Sequence, residues 1–134
     1  MTPTERFRRI LWAAAVFNVM AGGLLAFPAS PLGALAGLPT EVPLVYRGIV
    51  TTFVLLFAGV YAWLACQREP DRPMVVLGAV GKASVVALVT ALWLAGEASL
   101  PSLAAVSGDL VFALAFVWWL TRSREHPAGP LTSA

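Results

Sequence analysis

The sequence predicts an all-α bundle of four transmembrane helices, and three observations predict it. Hydrophobic residues make up 59% of the chain and charged residues only 12%. A soluble domain carries about 25% charged residues, so too little polarity is left here to cover a water-facing surface. Four apolar stretches are each long enough to cross a hydrocarbon core of about 30 Å, which takes about 20 helical residues. The basic residues gather at one end of all four. A soluble enzyme and a disordered chain are both excluded. With 134 residues, the chain has the length of one domain, read as a single integral membrane unit, 1–134, with a polar C-terminal tail over 122–134.

The first span covers about 10–27 and is stopped by Pro28. Its apolar stretch exceeds the 7–15 residues of a secretory signal, and Pro31 after Ser30 disfavours cleavage, so the segment is read as a retained span. The connection from Pro28 to Val42 is apolar for a loop. Ser30 and Pro31 have the chemistry of an N-cap and a first helical position, which predicts a short interfacial helix on the outer face. The second span, about 44–66, begins after Pro43 and is stopped by "QREPDR". The third, about 74–95, begins after Pro73 and ends at Gly96, and the fourth, about 101–121, opens at Pro101 and closes at "RSREH". A proline in the first turn costs a helix nothing, because the missing N–H has no partner there.

Orientation follows from the arginines. Arg6, Arg8 and Arg9 precede span one, Arg68 and Arg72 join spans two and three, and Arg122 and Arg124 follow span four. The other two connections contain no Lys or Arg. Positive charge marks the cytoplasmic side, which predicts both termini in the cytoplasm. Trp12, Trp63, Trp118 and Trp119 then fall near the inner interface, with Trp93 and Tyr46 near the outer one, as an aromatic belt requires. The single lysine against eight arginines, with abundant alanine, points to a GC-rich bacterial genome and hence to a bacterial inner membrane.

Two pairs of segments look alike. "YAWLACQREPDRP" at the end of span two resembles "VWWLTRSREHPAGP" at the end of span four, and "AVFN" in span one resembles "AVGK" in span three. Such likeness would fit a parallel two-helix duplication. The simpler reading is that every inner helix end finishes in Trp and Arg.

Two charges sit deep inside apolar spans. Lys82 lies about 13 Å into span three, and Asp109 about 12 Å into span four from the other side, at 1.5 Å per residue. A central charge costs about 2.5–3.5 kcal/mol on the insertion scale, while each Leu, Ile, Phe or Val returns about 0.3–0.6 kcal/mol. The spans can insert, but neither charge belongs against lipid, and an inward-facing Lys82–Asp109 pair is expected. Asn18 lies mid-span on a face with Ala14 and Gly22, a small-polar-small pattern that brings helices close. Arg47 sits just inside the outer end of span two, and Thr51, Val54, Ala58 and Tyr61 continue its stripe. Asn18, Arg47, Thr51, Tyr61, Lys82 and Asp109 are therefore expected to converge in one interior. Thr51 is expected to donate back to its own helix, and Gly78 and Gly81 to permit close packing. Glu41 and Glu97 are the outer carboxylates within reach of a surplus cation.

The mid-span Asn18, "AGLP" at Ala36 to Pro39, Arg47 early in span two, "GK" at Gly81–Lys82 and "GD" at Gly108–Asp109 resemble the small four-span bacterial membrane proteins loosely grouped as DoxX-like. That resemblance covers the whole chain and implies the fold, with no single activity attached.

Cys66 is the only cysteine and His126 the only histidine, which excludes an internal disulfide, a Cys-x-x-Cys motif and a haem held by two histidines. No cofactor and no metal are expected. The pI near 9.2 reflects membrane orientation and not nucleic acid. Asn18, Arg47, Lys82 and Asp109 are the candidate ligand-binding residues, with Thr51 and Tyr61 secondary, for a small amphipathic or anionic molecule. The alternatives are a proton-coupled transporter acting as a homodimer, an accessory subunit of a larger membrane complex, and an isomerase using Lys82 and Asp109 as an acid–base pair. The expected partner in every case is the lipid bilayer.

Overall fold

The structure, a computed structural model, describes residues 1–123. Residues 124–134, which hold Arg124, His126 and most of the polar tail, lie outside the described residues. Among the described residues five helices follow in order: α1 Pro3–Ala26, α2 Pro31–Leu35, α3 Leu44–Cys66, α4 Arg72–Leu94 and α5 Leu100–Arg122. All but α2 are long and apolar enough to cross a membrane.

Local chemistry sets the helix ends. α1 begins well before the apolar stretch because Thr2 and Glu5 form a capping box: Thr2 Oγ1 accepts from the Glu5 amide, and Glu5 Oε2 accepts from the Thr2 amide at 2.7 Å. Ser30, Asp71 and Ser99 cap α2, α4 and α5 through their side-chain oxygens. α2 and α4 both close with a left-handed glycine, Gly37 at φ 68° and Gly96 at φ 78°. In each case the next amide reaches back to a carbonyl inside the helix, Leu38 to Gly33 and Glu97 to Leu92. A side chain would resist that backbone conformation.

The helices pack as two hairpins, α1 on α3 and α4 on α5, joined mainly where α1 meets α5. Phe7, Leu11, Tyr61, Leu64, Val75 and Phe116 are fully buried between them. Phe7 stacks flat on Trp119 with ring centres 4.5 Å apart, and Phe116 meets Phe7 and Tyr61 edge-on at 5.5 and 5.4 Å. Trp119 is thus a core residue and not an interface one, unlike Trp12 and Trp63, which are about half exposed. This core fills only the basic half of the bundle. Burial on α3 and α5 begins at Ala58 and Ala113, and burial on α4 ends at Lys82. In the other half the helices present apolar side chains such as Val50, Phe53, Val85 and Leu88 outward.

The two hairpins repeat one another. Buried Leu11, Ala14, Ala15 and Asn18 on α1 correspond to Val75, Gly78, Ala79 and Lys82 on α4, at a constant spacing of 64 residues. Ala58, Tyr61 and Leu64 on α3 correspond to Ala113, Phe116 and Trp119 on α5 at a constant spacing of 55 residues. Contacts repeat with them. Arg8 Nε donates to the Ala65 carbonyl at 2.7 Å, and Arg72 Nη2 donates to the Leu120 carbonyl at 2.9 Å. In both halves a guanidinium from the first helix satisfies a carbonyl in the last turn of the second, where cations are favoured. A shared need for Trp and Arg at helix ends does not explain matched burial and matched contacts, so the duplication is the better account. The string likeness of the helix ends was one residue out of register, since it pairs Tyr61 with Val117 where burial pairs it with Phe116.

Candidate functional site

Asn18 and Lys82, equivalent in the two halves, meet where the buried core ends. Lys82 Nζ donates to Asn18 Oδ1 at 3.0 Å and to Asp109 Oδ1 at 2.6 Å. Asn18 Nδ2 donates to the Val54 carbonyl at 3.2 Å. The remaining surroundings of the ammonium are aromatic, with the Phe17, Tyr61 and Phe112 rings centred 5.3, 5.2 and 5.2 Å from Nζ. Ring faces attract a cation at these distances, most strongly where water is excluded.

Small residues make the cage possible. A Cβ on Gly108 would lie 2.6 Å from the Phe17 ring, so this glycine lets Phe17 lie against α5 beside Asp109. On Gly78 a Cβ would lie 2.9 Å from Tyr61 and 3.0 Å from Phe116. Gly81 has open space around it, so of the Gly78–Gly81 pair only Gly78 serves close packing.

The two charges are not equally covered. Lys82 is 4% exposed and Asp109 19%. Asp109 Oδ1 is committed to the lysine, and Oδ2 has no hydrogen-bond partner among the described residues. Chemically, the ammonium is neutralised, with two of its three N–H donors on oxygens and aromatic rings around the rest, while the carboxylate keeps one oxygen without a partner among the described residues.

Asn18, Tyr61, Lys82 and Asp109 therefore form one constellation, and Arg47 is not part of it. Arg47 lies seven residues before Val54 on α3, about 10 Å along the helix. It is half-buried in a separate apolar groove of about 120 Å³, between Leu25 and Pro28 at the end of α1, Leu38 and Val42 in the connection, and Val50 on α3. Among the described residues the Lys82–Asp109 contact is the one salt bridge, so neither Glu41 nor Glu97 neutralises Arg47. Thr51 lies between the two places, and its Oγ1 is buried without a hydrogen-bond partner. The expected bond back to its own helix is made instead by its neighbour, Thr52 to the Gly48 carbonyl at 2.8 Å.

Sequence reasoning missed Phe17, Phe112 and the Val54 carbonyl. Aromatics are common in these spans and a backbone carbonyl leaves no trace in composition, although Phe17 beside Asn18 in "AVFN" was a usable hint. Among the described residues no three His, Cys, Asp or Glu side chains come together as a metal site would need. No family model, curated protein or solved structure matches this chain.

Proposed function

We propose that this protein is a multi-pass protein of the bacterial inner membrane, with both termini in the cytoplasm, that binds a small amphipathic anion inside its bundle. Lys82 meets the anionic group, Asn18 and Thr51 supply hydrogen bonds, and Arg47 in its apolar groove draws the group in from the outer interface. α2 lies along that interface. The arginines clustered at one end of the bundle support this orientation.

A comparison within the molecule carries the reading. At two equivalent positions, one half ties its helices with the neutral Asn18 amide on the Val54 carbonyl, and the other half uses a full ion pair. Polar contacts between membrane helices are worth about 0.6 kcal/mol on average, and the neutral tie provides that. A charge at the centre of a span costs about 2.5–3.5 kcal/mol, so packing alone is a poor reason to keep two of them. Ionisable groups inside spans mark ligand or proton paths. The unpartnered Thr51 hydroxyl, a donor able to meet an anion, supports the same conclusion.

Native mass spectrometry of the gently extracted protein, wild type beside Lys82→Ala, tests it. A discrete added mass on the wild type that the variant lacks is the expected result. Bare protein in both, with a second protein co-purifying, would overturn the binding reading in favour of an accessory subunit.

A further inference from the structure

We infer that this site takes up its anion only together with one proton, which Asp109 receives. The inference rests on the binding reading above and names how the same site is controlled.

The lysine's two oxygen acceptors are both protein groups, Asn18 Oδ1 and Asp109 Oδ1, and its third N–H faces only the aromatic rings of Phe17, Tyr61 and Phe112. Displacing the rings would undo the packing of Phe17 on Gly108 and Phe112 and of Tyr61 on Phe116, and Asn18 is held from behind by the Val54 carbonyl. The position open to exchange is that of the Asp109 carboxylate. If Asp109 stayed ionised after giving up the lysine, the site would hold two negative charges against one positive in an apolar interior. An unpaired charge there is strongly disfavoured.

A proton removes the conflict. The Asp109 carboxylate gains one proton and becomes a neutral acid, Lys82 stays an ammonium, and the incoming anion takes the place of Oδ1. The net charge of the site is the same before and after. Asp109 is also the less covered member of the pair, 19% exposed against 4% for Lys82.

The groups facing the pair leave no other proton acceptor of that kind. From α1 comes Asn18, which does not titrate, and from α3 comes the Tyr61 phenol, its ring centred 5.2 Å from Nζ. From α4 comes Lys82 itself, and on α5 Asp109 is the only carboxylate. Arg47, the nearest further cation on α3, belongs to the other groove.

The test uses decanesulfonate, an anion whose own charge does not change with pH, and the full chain in phosphatidylcholine nanodiscs, with empty discs subtracted. Titration calorimetry in two buffers of different ionisation heat counts the protons taken up. The expected result is one proton taken up per sulfonate bound, with affinity falling about tenfold per pH unit at each pH where that proton is counted. In Asp109→Asn the proton uptake disappears and binding at the alkaline end becomes at least tenfold tighter than in the wild type. Should that variant not fold, the wild-type proton count decides alone. Sulfonate binding without proton uptake overturns the coupling and leaves the anion reading standing. No sulfonate binding at any pH, or binding of decyltrimethylammonium in its place, overturns both.

Discussion

Asn18 and Lys82 occupy the same place in the two halves of the molecule and touch, Lys82 Nζ to Asn18 Oδ1 at 3.0 Å. Tyr61 and Phe116, likewise equivalent, meet edge-on one layer into the core. Equivalent residues of the two hairpins thus meet each other twice, and the polar cluster sits at one of those meetings. The symmetry is broken there by charge. One position keeps a neutral amide on a backbone carbonyl, and the other has an ammonium on a carboxylate.

This asymmetry separates stability from function in one experiment. Removing a single partner of a buried pair strands the other charge and costs about 3–5 kcal/mol, while replacing both by neutral groups is often close to neutral. Lys82→Met and Asp109→Asn should each lower the denaturation midpoint in detergent, and the double variant should recover most of the loss. Decanesulfonate binding should be absent from the double variant although it folds. A double variant as unstable as the single ones would make the pair a packing device.

Arg8 and Arg72 make the same carbonyl contact in the two halves but not with the same company. Arg72 also reaches Ser123 Oγ and lies over Trp119, its guanidinium carbon 5.8 Å from the ring centre. A hydrogen bond from a charged group contributes about 1.5–3 kcal/mol. Arg8→Ala should therefore fall at the low end of that range and Arg72→Ala at or above its top. Thermal unfolding of the two variants side by side checks the order, and equal losses would contradict it.

Gly78 stands where the other half has Ala14, and the difference is steric. A methyl group at Gly78 meets Tyr61 and Phe116 at about 3 Å, and overpacking of this kind costs about 1–3 kcal/mol. At Gly59, in the same membrane-crossing layer but facing open space, alanine should be neutral or stabilising by about 0.5–1 kcal/mol, since glycine is a poor helix residue. Gly78→Ala and Gly59→Ala should shift the unfolding midpoint in opposite directions.

The long helices were legible because prolines, caps and hydropathy all mark the same boundaries. Lys82, Asp109 and Asn18 were legible for one physical reason: polar groups inside apolar helices must find partners. The start of α1 was not, because hydropathy begins at Ile10 whereas the Thr2–Glu5 capping box extends the helix through charged residues that add nothing to an apolar stretch. The repeat was half legible. "AVFN" and "AVGK" are in true register, but Trp63 and Trp119 look equivalent in sequence and are not, since one is half exposed and the other buried. Arg47 was drawn into the wrong group for a related reason. Residues on one helical stripe share a face but not a depth, and Arg47 lines the groove beside Pro28 and not the surroundings of Lys82.

That separation gives Arg47 its own test. The side chain has no ion pair or hydrogen bond among the described residues, so Arg47→Leu should leave the unfolding midpoint within about 0.5 kcal/mol of wild type, the range of substitutions that break no specific contact. Binding should respond differently. If Arg47 gathers the anion at the outer interface, the variant should slow decanesulfonate association several-fold with little change in dissociation, and the wild-type rate should approach that of the variant at high salt, because attraction between exposed charges is screened. Lys82→Met should instead abolish binding at every salt concentration. A variant that loses stability, or one whose association rate matches wild type at low salt, would remove Arg47 from the path of the ligand.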